Sequence, residues 1–162
     1  MKIEQIYTGC LAQGAYYVVS NNEAFIIDPL REVQPYLDRL TADGVKLKYI
    51  FETHFHADFV SGHLDLSKQT GAPIVYGPTA KTEFEAIIAA DGQVFEIGAV
   101  KIKVLHTPGH TMESTTFLLI NEEGKDEAIF SGDTLFLGDV GRPDLAQKAA
   151  DMTQDQLAGM LY

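Results

Sequence analysis

The chain has 162 residues, an apolar fraction of 46% and a formal charge of −11 from 12 basic and 23 acidic side chains. Its length suits one domain over residues 1–162 with a sizeable core, and its acidity argues against general binding to nucleic acid or an anionic membrane. A single cysteine, Cys10, excludes an internal disulfide framework; the start MKIEQIYTGC lacks the apolar core of a signal peptide and no run is long enough to span a bilayer, so a soluble, cytoplasmic protein is expected.

In chain order, KIEQIY alternates apolar and polar residues, AYYVVS is rich in β-formers, and EAFIID stops at Asp28-Pro29, so three strands are predicted. Val33, Tyr36, Leu37 and Leu40 then recur at helical spacing, closed by Asp43-Gly44. KLKYIFE is a predicted strand. From Ala57 to Thr70, the residues Phe59, Val60, His63, Leu64 and Ser67 fall on one helical face ahead of Gly71, which predicts a helix over that whole stretch. APIVY is a short strand, QVFEIG and AVKIKVLH make a hairpin around Gly98-Ala99, and STTFLLI pairs with EAIFSG across the polar loop NEEGKD. Thr153 and Gln156 form a capping box for a last helix carrying Leu157, Met160 and Leu161. That pattern breaks off at Tyr162, so a piece of a longer protein is expected. The order predicts a layered α/β or α+β domain with a mixed sheet.

The chemistry concentrates in THFHADFVSGH, Thr53 to His63, where His54, His56 and Asp58 occupy alternate positions. Nearly extended backbone would point all three the same way. His54 follows the strand KLKYIFE, His110 follows VKIKVLH through Thr107-Pro108-Gly109, and Asp133 follows AIFSG. Loops at strand ends are where layered folds gather binding groups. Two histidines with a carboxylate suit a non-haem Fe(II) site, and three histidines suit catalytic zinc; the sequence can supply either set. His56 and Asp58 are read as alternative ligands or as groups that support a ligand. His63 is expected to pack within its helix, His106 and Asp28 to be structural, and Cys10 to be a small buried residue. Arg142 and Asp144 are expected to form a loop-shaping ion pair, with Arg142 the candidate for attracting an anionic substrate. Tyr7 and Tyr17 are expected in the core.

The set THFHAD, HTPGHT and SGDTLF resembles the metallo-β-lactamase superfamily over essentially the whole chain. The resemblance implies an αββα sandwich of two mixed sheets, C-terminally incomplete here, with metal at the sheets' edge. Within it, TGCLAQGAYYV, HADFVSGH, HTPGHTMEST and GDTLFLGDVGRPD look most like persulfide (sulfur) dioxygenases, in the bacterial form often followed by rhodanese domains. That implies one Fe(II) per chain on His54, His110 and Asp133, and oxidation of a persulfide of glutathione or another small thiol by O₂ to sulfite. A homodimer and a rhodanese domain or partner are further expectations from the resemblance. The dinuclear zinc hydrolases of the superfamily carry HxHxDH, but the last position here is Phe59, which cannot ligate, so one metal is expected. Two rivals remain: a Zn(II)-dependent thioester hydrolase of the glyoxalase II type, using His54, His56 and His110 with Asp133, and a non-catalytic metal-binding or sulfur-carrier module.

Overall fold

The computed structural model describes residues 1–144, 146–147 and 151–162. Strands β1 (Lys2–Thr8), β2 (Gln13–Ser20) and β3 (Glu23–Ile27) form an antiparallel meander, because short polar turns join alternating apolar segments. Helix α1 (Gln34–Asp43) ends on Gly44 in the left-handed conformation, as Asp43-Gly44 predicts, and returns the chain to β4 (Lys46–Phe51), parallel to β3. Helix α2 (His63–Thr70) leads to β5 (Ile74–Tyr76), and β6 (Ile87–Ile88) adds a short parallel edge. These six strands make one mixed sheet in sequence order.

The second sheet has the order β10-β9-β8-β7, from β7 (Val94–Ile97), β8 (Val100–His106), β9 (Thr115–Ile120) and β10 (Asp126–Phe130). Both were expected to be mixed. The second is antiparallel throughout, because its strands are joined by tight connections and a parallel pair needs a long crossover. A small hairpin, β11 (Leu135–Phe136) with β12 (Asp139–Val140), follows Asp133 and had no clear sequence signal; neither did β6. Helix α3 (Gln154–Leu161) carries the predicted capping box, and its buried Leu157 lies near Gly109. No helix among the described residues is long and apolar enough to cross a membrane.

Alternation along the first sheet divides its side chains between two apolar layers. Ala24 and Ile26 join Tyr36, Leu40 and Leu66 beneath α1 and α2, while Phe25 and Ile27 face the second sheet with Val104, Phe117 and Leu119. Phe51 sits in that intersheet layer, against the rings of Phe25, Tyr49, Phe95 and Phe117 at 4.9–5.7 Å between centroids.

The predicted helix from Ala57 is wrong over its first half. Residues 57–62 form an irregular loop pinned to the end of β3: Gly62 N donates to Pro29 O at 2.9 Å, and Ser61 bridges to Leu30. A side chain at position 62 would collide with the Leu30 carbonyl, so tertiary contact overrides the helical spacing. The buried residue of α2 is Leu66, and Leu64 is half exposed. Tyr17 is buried as expected, but Tyr7 and Cys10 are exposed, on a sheet-edge strand and the turn after it. Phe51→Ala should lower unfolding free energy by about 3–5 kcal/mol in a denaturant titration, since it opens a cavity where the two sheets meet.

Candidate metal centre

Asp28 directly follows β3 with a left-handed backbone, φ 48°, and is buried. Its Oδ1 accepts from Thr53 N at 2.8 Å and its Oδ2 from Thr53 Oγ1 at 2.7 Å. The Thr53 carbonyl accepts from Thr115 N of β9 at 2.9 Å, so this residue fastens the exit of β4 to both sheets.

Those bonds set the tautomer of His54. The Thr53 hydroxyl proton is committed to Asp28, so Oγ1 can only accept from His54 Nδ1, 3.0 Å away. Nε2 of His54 is left with the lone pair. Burial first, and then the like charge of His56, lower the His54 pKa to about 4, so the ring is neutral and ready to ligate.

His110 is oriented in the same manner. Its Nδ1 lies 3.3 Å from the Arg142 carbonyl, which can only accept, so Nε2 again carries the lone pair. That Nε2 is 3.5 Å from Asp133 Oδ2. Asp133 lies in a 3₁₀ turn, Gly132–Thr134. Gly132, at φ 50°, lets that turn press against Thr53, and Gly141 lets the returning chain lie against the Asp133 carbonyl and His110. Donor atoms of His54, His110 and Asp133 all lie within 4.8 Å of one another. Two ligands of a tetrahedral zinc, each about 2.1 Å from the ion, sit about 3.4 Å apart. The donor set and its spacing therefore fit a first-row divalent metal.

His56 is adjacent, its ring 4.2 Å from that of His54 and 4.3 Å from that of Phe59. Its Nε2 is 3.1 Å from Asp28 Oδ1 and 3.6 Å from Glu52 Oε2. Burial disfavours the charged ring, but the Asp28 carboxylate outweighs it and the His56 pKa rises to about 9. Burial likewise opposes ionisation of Asp28, yet the facing His56 holds its carboxyl below the ordinary value. Glu52, fully buried and beside the Asp28 charge, is pushed well above it.

The other sequence candidates fall outside this cluster. Asp58 is exposed; the carboxylate that contacts a metal-loop histidine is Asp28, which sequence reasoning had left as a structural residue. Its only signal was its place at the end of an apolar strand. Glu52 was not singled out at all, being read as the last residue of a strand. The His63 ring packs on Phe84 at 5.1 Å, and His106 Nε2 is 2.9 Å from Met112 O, both structural settings. The Arg142 guanidinium forks onto Asp144 at 3.1 and 2.6 Å and is mostly exposed, while its carbonyl alone meets His110.

Known proteins align with this geometry. A hydroxyacylglutathione hydrolase of Pelagibacter ubique is 33% identical over 132 residues, covering 78% of this chain and 53% of the relative. Further curated relatives at 32–37% identity carry the same name, one of them as probable. The chain spans about half the length of the curated relatives it matches. The crystal structure of a metallo-beta-lactamase from Staphylococcus aureus superposes with a TM-score of 0.86 at 33% identity, covering 99% of this chain and 50% of that one. ETHE1 from Myxococcus xanthus superposes at 0.84 with 26% identity, over 99% of this chain and 68% of that one.

These relatives overturn the persulfide dioxygenase reaction expected from the motifs, and they lend no support to the iron, O₂ and persulfide that came with it. The curated relatives at 30% identity and above are named for hydrolysis of a glutathione thioester. The motifs record how imidazoles and a carboxylate are gathered, which oxidative and hydrolytic metal sites share, so they are poor guides to the reaction. The metallo-beta-lactamase family model matches residues 8–159, and the chain belongs to the metallo-beta-lactamase superfamily, a metal-binding fold that His54, His110 and Asp133 equip here with a compact donor set.

Proposed function

We propose that this chain carries the metal site of a zinc-dependent thioester hydrolase acting on hydroxyacyl derivatives of glutathione. The observation that carries this reading is the state of His56. Its Nε2 lies 3.1 Å from Asp28 Oδ1, so the nitrogen left to face a metal is Nδ1. His56 then joins His54 and His110 as a third imidazole, with Asp133 beside them. Three neutral histidines are the ligand set of hydrolytic zinc, and the names of the curated relatives support the same chemistry.

One zinc ion would be held by His54 Nε2, His56 Nδ1 and His110 Nε2. When bound, it would supply Lewis acidity toward the thioester carbonyl and lower the pKa of its water to about 7. The protein's own groups do the rest. Thr53 and the Arg142 carbonyl fix the tautomers of His54 and His110, so no reorientation precedes ligation. The Asp133 carboxylate, less buried than the histidines and 3.5 Å from His110 Nε2, would reach the same ion from its open side. Phe59 fills the place of the sixth residue of HxHxDH, which keeps the proposed site mononuclear. Arg142, on the loop that orients His110, is exposed and would meet the carboxylates of glutathione by exchanging its fork with Asp144.

Protein loaded with zinc should hold about one ion per chain by elemental analysis and hydrolyse an S-(2-hydroxyacyl)glutathione, followed by release of free thiol. His56→Ala should weaken zinc binding more than tenfold and abolish turnover; a variant that keeps both would refute the three-histidine site. Iron retained in preference to zinc, with no thiol release, would overturn the hydrolase reading. Arg142→Ala should raise KM about threefold at low salt with kcat unchanged, and the difference should shrink as salt screens the exposed charge.

A further inference from the structure

Behind the metal loop lies a carboxyl group that the proposed chemistry does not use. Glu52 is fully buried at the exit of β4, and its backbone N donates to Val75 O at 3.0 Å, so its main chain belongs to the rigid sheet. Its Oε1 lies 2.6 Å from Ser61 Oγ and 3.6 Å from His63 Nδ1. Its Oε2 lies 3.6 Å from His56 Nε2 and has no hydrogen-bond donor among the described residues. An apolar side chain here would escape the desolvation penalty of an incompletely partnered carboxyl. Stability alone therefore does not account for it.

The geometry suggests what does. Residues 53–62 have no regular structure and carry both His54 and His56. Ser61 stands near the far end of that segment, with its Oγ also 3.0 Å from the Pro29 carbonyl, so its one hydroxyl proton is shared between that carbonyl and Glu52. The contact between Glu52 and Ser61 joins the residue before the loop to one near its end, closing the loop at its base. The other carboxylate oxygen lies 3.6 Å from the same His56 nitrogen that faces Asp28 at 3.1 Å. Cation binding at Asp28, Glu52 and His56 is the competing use of this cluster; there Asp28 already gives one lone pair of each oxygen to Thr53, and Glu52 Oε1 is turned to Ser61.

We propose that Glu52 is a positioning residue: it closes the metal loop through Ser61 and buttresses the His56 imidazole, so that His56 is presented to the metal without reorganisation. The inference rests on the reading of His56 as a ligand. An imidazole held in place gives up less freedom on ligation, and groups that orient ligands are worth about 10–100-fold in metal affinity.

The test is zinc affinity, measured by competition with a chromophoric chelator for the wild type, Glu52→Ala, Glu52→Gln, Ser61→Ala, His56→Ala and the Glu52→Ala/His56→Ala double variant. Glu52→Ala should weaken zinc binding at least about tenfold. Glu52→Gln, which keeps an acceptor for Ser61, should stay within about threefold of the wild type, and Ser61→Ala should fall between the two. In the His56→Ala background, Glu52→Ala should cost less than it does in the wild type, because the part that acts through that ring is already lost. A purely structural role would lower Tm yet leave the zinc affinity of the folded protein unchanged in both backgrounds, and that result overturns the inference. Should Glu52→Ala fail to fold by circular dichroism, wild-type affinity in Ser61→Ala overturns it equally. If His56→Ala weakens zinc binding and Glu52→Ala does not, this inference alone fails. If His56→Ala leaves zinc affinity intact, the three-histidine reading fails and takes the inference with it.

Discussion

The carboxylate of Asp28 accepting from the backbone and hydroxyl of Thr53 is the interaction on which the site depends. It joins the ends of two parallel neighbours, β3 and β4, at the point where the chain leaves the sheet. It also takes the one proton of the Thr53 hydroxyl, which makes that oxygen an acceptor and decides which nitrogen of His54 is free. The same carboxylate faces His56. A buried charge in a left-handed backbone is an expensive device, at about 1–3 kcal/mol for the backbone conformation alone. Such strain is retained where the surrounding structure over-determines it, and here the sheet, Thr53 and His56 all do so.

The two-sheet architecture brings together groups far apart in the chain. His54 leaves the first sheet; His110 lies in the loop from β8 to β9, and Asp133 just past β10, both in the second. They meet because the sheets pack face to face through Phe51, Phe117 and their neighbours, so the loops at one end converge. Close approach of three loops leaves little room, and Gly132 and Gly141 supply it where a Cβ would strike Thr53 or the Asp133 carbonyl. The site is thus built from hydrogen-bonded supports as much as from ligands. Each histidine has one nitrogen facing a protein acceptor: a hydroxyl, a carbonyl or a carboxylate.

That arrangement explains why motif resemblance led to the wrong reaction. THFHAD, HTPGHT and SGDT specify a set of donors, and the same donors serve oxidation on iron or hydrolysis with zinc. A sequence pattern with both HxH histidines present does not state which of them ligate. The names of the curated relatives are what favours hydrolysis.

The strands β1 to β5 and β7 to β10, helix α1 and the capping box of α3 were legible in the sequence, because local alternation, turn residues and caps determine them. So were His54, His110 and Asp133, since each follows an apolar strand and their residue types suit a metal. Three things were not. The stretch 57–62 keeps helical spacing but is drawn into a loop by hydrogen bonds to Pro29 and Leu30, contacts that no local pattern encodes. Asp28 reads as a turn residue until its carboxylate is seen between Thr53 and His56, and Glu52 reads as a strand end until its partner Ser61 lies across the loop. Periodicity and residue type act over a few neighbours, so the sequence by itself determined the elements and the donors. Which nitrogen each imidazole offers, and which carboxylates support the loop, depended on groups brought together only by packing the sheets and pinning the loop back onto β3, and that the tertiary structure decided.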